Sequence, residues 1–177
     1  MYQMLQNYTA YRILRLFFDC PMKGFQLREI SRLTKLGMPS VSLHVKRLEK
    51  WGFLKKEKGG VYATYKASRS DAFKLYKRSD MLLRLHESGL IEFLADRLVP
   101  DAIILFGSAS RGEDIERSDI DILIVAKEGE IDTRKYEKSL KRGIHVIFEP
   151  QVDKIPNELL NNIINGIVLY GYLKVLR

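Results

Sequence analysis

The chain has 177 residues, 46% of them hydrophobic and 29% charged, with a formal net charge of +8 and one cysteine, Cys20. That balance suits a soluble folded chain of one domain or two small ones, excludes a disordered tract, and rules out an internal disulfide. The start lacks a signal-peptide core, and the most apolar late run, "IINGIVLYGYL", is too short to span a bilayer. The expected location is therefore cytoplasmic, with no membrane partner.

Charge is unevenly spread. Residues 1–70 hold 14 Lys/Arg against 4 Asp/Glu, whereas residues 71–177 hold 16 against 18. A basic first part and a slightly acidic second part imply two modules with different partners.

In chain order, "TAYRILRLFFDC" carries Ile13, Leu14, Phe17 and Phe18 at helical spacing, with Pro21 just beyond. "FQLREISRLTK" gives a second short helix with Leu27, Ile30 and Leu33 on one face. Gly37 then permits a sharp turn, and Pro39 suits the first position of a third helix striped by Val41, Val45 and Leu48. "FLKKEKGGVYATYKAS" reads as two short strands around a Lys-rich turn.

Helix, helix, tight turn, helix, basic hairpin is the order of a winged helix-turn-helix. Residues 25–67 resemble the ArsR- and MarR-like regulators. The resemblance implies that Pro39–Trp51 enters the major groove of double-stranded DNA and that Lys55–Lys58 forms the wing tip. Lys46, Arg47, Lys50, Lys55, Lys56 and Lys58 form a cationic set able to neutralise phosphates. Ser40 and Ser42 join them as candidate contacts on the third helix. The bland alternative is a set of solvated faces on a protein-docking module.

Residues 70–99 read as helical, with a break at Ser88-Gly89. Phe73, Tyr76, Leu82, Leu83, Leu85 and Leu90 are more apolar surface than one exposed helix carries. The segment is expected to pack on the second module, on a twin subunit or on both, a homodimer being the favoured arrangement. The expected domains are a winged helix at 1–68, a helical linker at 69–99 and an α/β domain at 100–177.

After Pro100, "DAIILFG" is an apolar strand, "SASRGEDIERS" a turn with a short helix, and "DIDILIVAK" a second strand. "DTRKYEKSLKRG" is a helix and "IHVIFEP" a third strand. "PNELLNNIINGIVLYG" closes as a helix and a last strand. The result is a mixed sheet with flanking helices, an α/β (α+β) fold. Asp119 and Asp121 interrupt an otherwise apolar strand. Residues two apart share a strand face, and two carboxylates held together require something positive between them, a divalent metal being the usual answer.

Gly107-Ser108, ten residues, then Asp119-Ile120-Asp121 resembles the signature of the nucleotidyltransferase superfamily that includes DNA polymerase β, in the minimal (MNT) form. The resemblance implies Mg²⁺ or Mn²⁺ held by Asp119 and Asp121, and a nucleoside triphosphate held near Gly107 and Ser108, with Arg111 and Ser118 as further candidates. Arg111 is equally a solvated loop residue, and Ser118 equally a turn residue. It further implies transfer of a nucleoside monophosphate, AMP foremost, to a hydroxyl of a protein or nucleic acid.

One departure stands out. The family's third acid, on the next strand, is replaced by His145, while Glu149 lies about 13 Å farther along at strand rise. His145 substitutes as ligand or base, another acid reaches in, or the site turns over poorly. The alternative function is accordingly a transcriptional regulator or an antitoxin, since MNT proteins pair with HEPN-type toxins.

Overall fold

The computed structural model describes residues 8–57 and 62–174. Two compact units divide the chain, Met1–Asp80 and Met81–Arg177.

The first unit is built from α1 (Thr9–Asp19), α2 (Leu27–Thr34), α3 (Met38–Lys50) and a hairpin of β1 (Leu54–Glu57) and β2 (Thr64–Ala67). A bridge between Phe25 and Tyr65 extends the hairpin by one pairing. Ile13, Leu14, Phe17 and Phe18 all point inward from α1, as their spacing predicts. They meet Ile30, Val41, Val45 and Leu48 in one apolar core.

Two details differ from the expectation. The inward stripe of α2 is Leu27, Ile30 and Thr34, with Leu33 turned out at 44% exposure; Thr34 enters the core because its hydroxyl donates to the Ile30 carbonyl at 2.7 Å. The left-handed residue of the following turn is Lys35 (φ 55), not Gly37, whose φ is −64. Ser31 holds that turn twice, its carbonyl accepting from the Leu36 N–H and its hydroxyl donating to the Leu36 carbonyl. α3 consequently starts at Met38, one residue before Pro39.

Helix α4 (Asp71–Glu87) begins in the first unit, where Phe73 is buried, and ends in the second, where Met81 and Leu85 are buried. Ser88-Gly89 breaks it, Gly89 taking φ 75, and α5 (Leu90–Leu98) follows. Tyr76 remains half exposed, with its ring edge-on to Phe53.

The second unit holds β3 (Ala102–Phe106), α6 (Gly107–Arg111), β4 (Ile120–Val125), α7 (Arg134–Leu140), β5 (Ile144–Phe148), a 3₁₀ turn at Val152–Lys154, α8 (Asn157–Ile164) and β6 (Ile167–Gly171). The sheet order is β5-β4-β3-β6; β4 and β5 are parallel and the other two pairings antiparallel, so the expected mixed sheet is found. Both faces are covered. Ile103, Leu105, Ile120, Ile122 and Ile124 pack with residues of α4, α5 and α7 on one side. Ala102, Ile104, Phe106, Leu123 and Val125 pack with Ile155 and Ile163 on the other. This two-sided burial explains why β3 and β4 read as continuous apolar runs. Among the described residues, no helix is long and apolar enough to cross a membrane.

Candidate functional site

The question raised by Asp119-Ile120-Asp121 is answered at the first residue of β4. Ile120 points into the core shared with α5 and α7, so Asp121, the next residue of the strand, points to the opposite face. Its side chain is 28% exposed. Asp119 immediately precedes the strand and is exposed.

Neighbouring strands set what these carboxylates meet. Asp121 lies between Phe106 of β3 and His145 of β5 in register. The His145 Nδ1 is 3.2 Å from Asp121 Oδ1, a hydrogen bond when that nitrogen carries the proton. Gly107, directly after β3, has φ 70, and a methyl group built on it would lie 2.3 Å from Asp121 Oδ2. Gly143, directly before β5, would place such a methyl 2.4 Å from Asp119 Oδ1. Each acid thus lies over a glycine, and the Ile120 N–H donates to the Gly143 carbonyl at 2.9 Å. Gly143-Ile144-His145 runs alongside Asp119-Ile120-Asp121 residue for residue.

The five residues of α6 begin with Gly107. Ser110 is buried and donates to the Gly107 carbonyl at 2.8 Å, fixing the turn beside Asp121. Ser108 is half-buried in the same turn. Arg111 points to the surface and pairs with Glu113 at 3.0 Å. The Ser118 hydroxyl accepts from the Ile115 N–H at 2.9 Å, closing the turn that delivers Asp119. Glu149 accepts from the Gln151 N–H at 3.0 Å, beyond the far end of β5. Of the two candidates for the third acid's place, His145 is the one beside Asp121.

Among the described residues no three His, Cys, Asp or Glu side chains converge on one point able to hold a metal. The pair of acids nonetheless suits magnesium chemically. That ion keeps several waters and is held by one or two carboxylates together with substrate phosphates, not by an all-protein cage. The glycines leave both carboxylates room at a solvent-facing edge.

Sequence reasoning missed Gly143, Arg142 and Asp114. The guanidinium of Arg142 lies 3.6 Å from Asp114, and both side chains are buried. The signal for Gly143 lay in aligning Gly-x-His with Asp-x-Asp across two strands that a single intervening helix makes parallel.

In the first unit, Val41, Val45 and Leu48 are buried, which leaves Lys46, Arg47 and Lys50 exposed along α3; Ser40 and Ser42 are half-buried at its start. Lys55 and Lys56 are exposed on β1, while Lys58 lies outside the described residues. Among the described residues the ion pair of this hairpin joins Lys66 to Glu57 at 2.8 Å, leaving Lys55 and Lys56 outside it.

Comparison with curated proteins and with solved structures gave no match. Residues 87–170, from the last residue of α4 into β6, match the family model described as nucleotidyltransferase domain. The matched stretch takes in most of the mixed sheet and the acids at the head of β4.

Proposed function

We propose that this protein is a DNA-binding nucleotidyltransferase that moves a nucleoside monophosphate, AMP from ATP foremost, onto a hydroxyl of a protein or nucleic acid. The observation that carries the reading is the pair Asp119 and Asp121 on one face at the head of β4, each over a glycine, beside the turn that opens α6. In transfer, the acceptor oxygen bonds to the α-phosphorus, the bond from that phosphorus to the leaving oxygen breaks, and pyrophosphate departs. A divalent cation bound by Asp119 and Asp121 would neutralise charge developing on the phosphates. Gly107 and Ser108 line the approach to Asp121, where the triphosphate is expected. His145 occupies the third acid's place and orients Asp121 through its ring nitrogen.

For the first unit we infer a winged helix, with α3 in the major groove and Lys46, Arg47, Lys50, Lys55 and Lys56 against phosphates. The half-exposed Leu75 and Tyr76 on α4 support pairing of two copies. A second reading is favoured by one observation, the imidazole in place of a carboxylate: a regulator, or an antitoxin facing a HEPN-type toxin, that binds nucleotide and turns it over slowly.

Incubation with labelled ATP, Mg²⁺ and cell lysate tests the enzyme reading. The wild-type chain should label a product, and Asp119→Asn with Asp121→Asn should abolish it. Nucleotide binding without any labelled product would move the account to the regulator reading.

A further inference from the structure

We propose that Asp114 and Arg142 are positioning residues for Asp119, a role that rests on the nucleotidyltransferase reading. Asp114 is 2% exposed and the Arg142 side chain 7%, with Nη2 and Oδ2 3.6 Å apart. Taking two opposite charges out of water costs about as much as their attraction returns, and an apolar pair of similar volume is often at least as stable. Stability alone therefore gives little reason for a buried pair here.

Location gives a better one. Asp114 lies in the connection between α6 and β4, five residues before Asp119. Arg142 lies in the turn between α7 and β5, directly before Gly143. The Arg142 guanidinium holds that connection at two points, pairing with Asp114 and donating to the Glu116 carbonyl. Ser118 closes the remaining turn by accepting from Ile115. On the other side, Gly143 presents the bare Cα over which the Asp119 carboxylate lies, and its carbonyl takes the Ile120 N–H. Residues 142 and 143 thus hold both the path of the chain into Asp119 and the surface beneath its carboxylate. The turn itself is anchored, since the buried Arg84 donates to the Leu140 carbonyl at 2.6 Å. Loss of the Asp114–Arg142 pair frees the 112–118 connection and lets Asp119 leave the position from which it acts with Asp121.

The test is Mn²⁺ alone as probe, with bound and free ion separated by electron paramagnetic resonance, on the full chain. Asp114→Leu with Arg142→Met removes both charges and keeps the volume filled. Mn²⁺ affinity should fall about 10- to 100-fold, the usual size when a group that orients a metal ligand is lost. In an Asp119→Ala background the same exchange should leave the residual affinity unchanged, because the two effects run through one carboxylate. If the exchange melts below the assay temperature, Arg142→Lys keeps a charge beside Asp114, loses the reach to Glu116, and carries the same comparison. Equal losses in both backgrounds, or no loss in either, would overturn the positioning role alone. Wild-type protein that holds no Mn²⁺ would defeat the metal-binding reading and take this role down with it.

Discussion

Gly143→Ala separates the geometry of the acids from the stability of the fold. The added methyl would start 2.4 Å from Asp119 Oδ1, where ordinary carbon–oxygen contact requires roughly 3.5 Å, so the carboxylate must retreat by about 1 Å. The retreat is open to it, because Asp119 is exposed and its carboxylate is the end of a rotatable side chain. Gly143 does not have a positive φ, so alanine there adds no left-handed strain and, by restricting the unfolded chain, stabilises by about 0.4–1 kcal/mol. A misplacement near 1 Å in a site that positions reacting groups costs on the order of 100-fold in rate. The expected variant therefore melts at or slightly above the wild-type temperature and loses on the order of 100-fold in nucleotide transfer. Gly107→Ala is the contrast, since φ 70 adds a backbone cost of about 1–2 kcal/mol to the displacement of Asp121. Full transfer activity in Gly143→Ala would refute the claim that Asp119 acts from where it lies.

Three further outcomes follow from the same coordinates. Lys46→Ala and Lys56→Ala should each weaken DNA binding across sequences and lower the slope of affinity against salt by about one, read by fluorescence anisotropy; an unchanged slope would take α3 and β1 off the DNA. Ile122→Ala, at a site with no exposure at the centre of the sheet, should lose about 2–5 kcal/mol in urea unfolding, and a loss under 1 kcal/mol would contradict that packing. Hydrogen bonds from Arg134 hold the Asp132 carboxyl at about 2, below its ordinary 3.8. A carboxyl depressed in the folded state adds stability above its unfolded value and loses it as pH falls from 3.8 toward 2. Arg134→Ala removes the side-chain bonds but keeps the backbone N–H bond. The NMR titration midpoint should therefore rise toward the ordinary range without fully reaching it, and a midpoint still near 2 would rule out the Arg134 side chain as the main cause.

Much of the second unit was legible because its signals are local. An apolar run buried on both faces, a Gly-Ser turn and an Asp-x-Asp pair each sit within a few residues. The inward faces of α1 and α3 followed from periodicity, and the break at Ser88-Gly89 from its glycine, in the same local way. What escaped was non-local or set by competing contacts. Leu33 has the right spacing for the α2 stripe, yet Thr34 takes the inward position by bonding its hydroxyl back to the helix. Lys35, not the Gly37 expected to permit the sharp turn, takes the left-handed conformation, with Ser31 fastening the chain just beyond it through both the N–H and the carbonyl of Leu36. The partnership of Asp119 with Gly143 depends on the register of two strands joined through α7, and that of Asp114 with Arg142 on two loops 28 residues apart. His145 could be placed on the right strand by eye, but its 3.2 Å approach to Asp121 required the register.

On the proposed function, Asp121, set between Gly107 and His145, gathers a divalent cation and a nucleotide at the head of β4. Equilibrium binding of Mn²⁺ in the presence of ATP, compared between the wild-type chain and Asp121→Asn, tests it most directly. The wild type should show a Mn²⁺ site that ATP tightens, and the substitution should remove it while the melting temperature holds. Equal binding by the two proteins, or none by either, would contradict it.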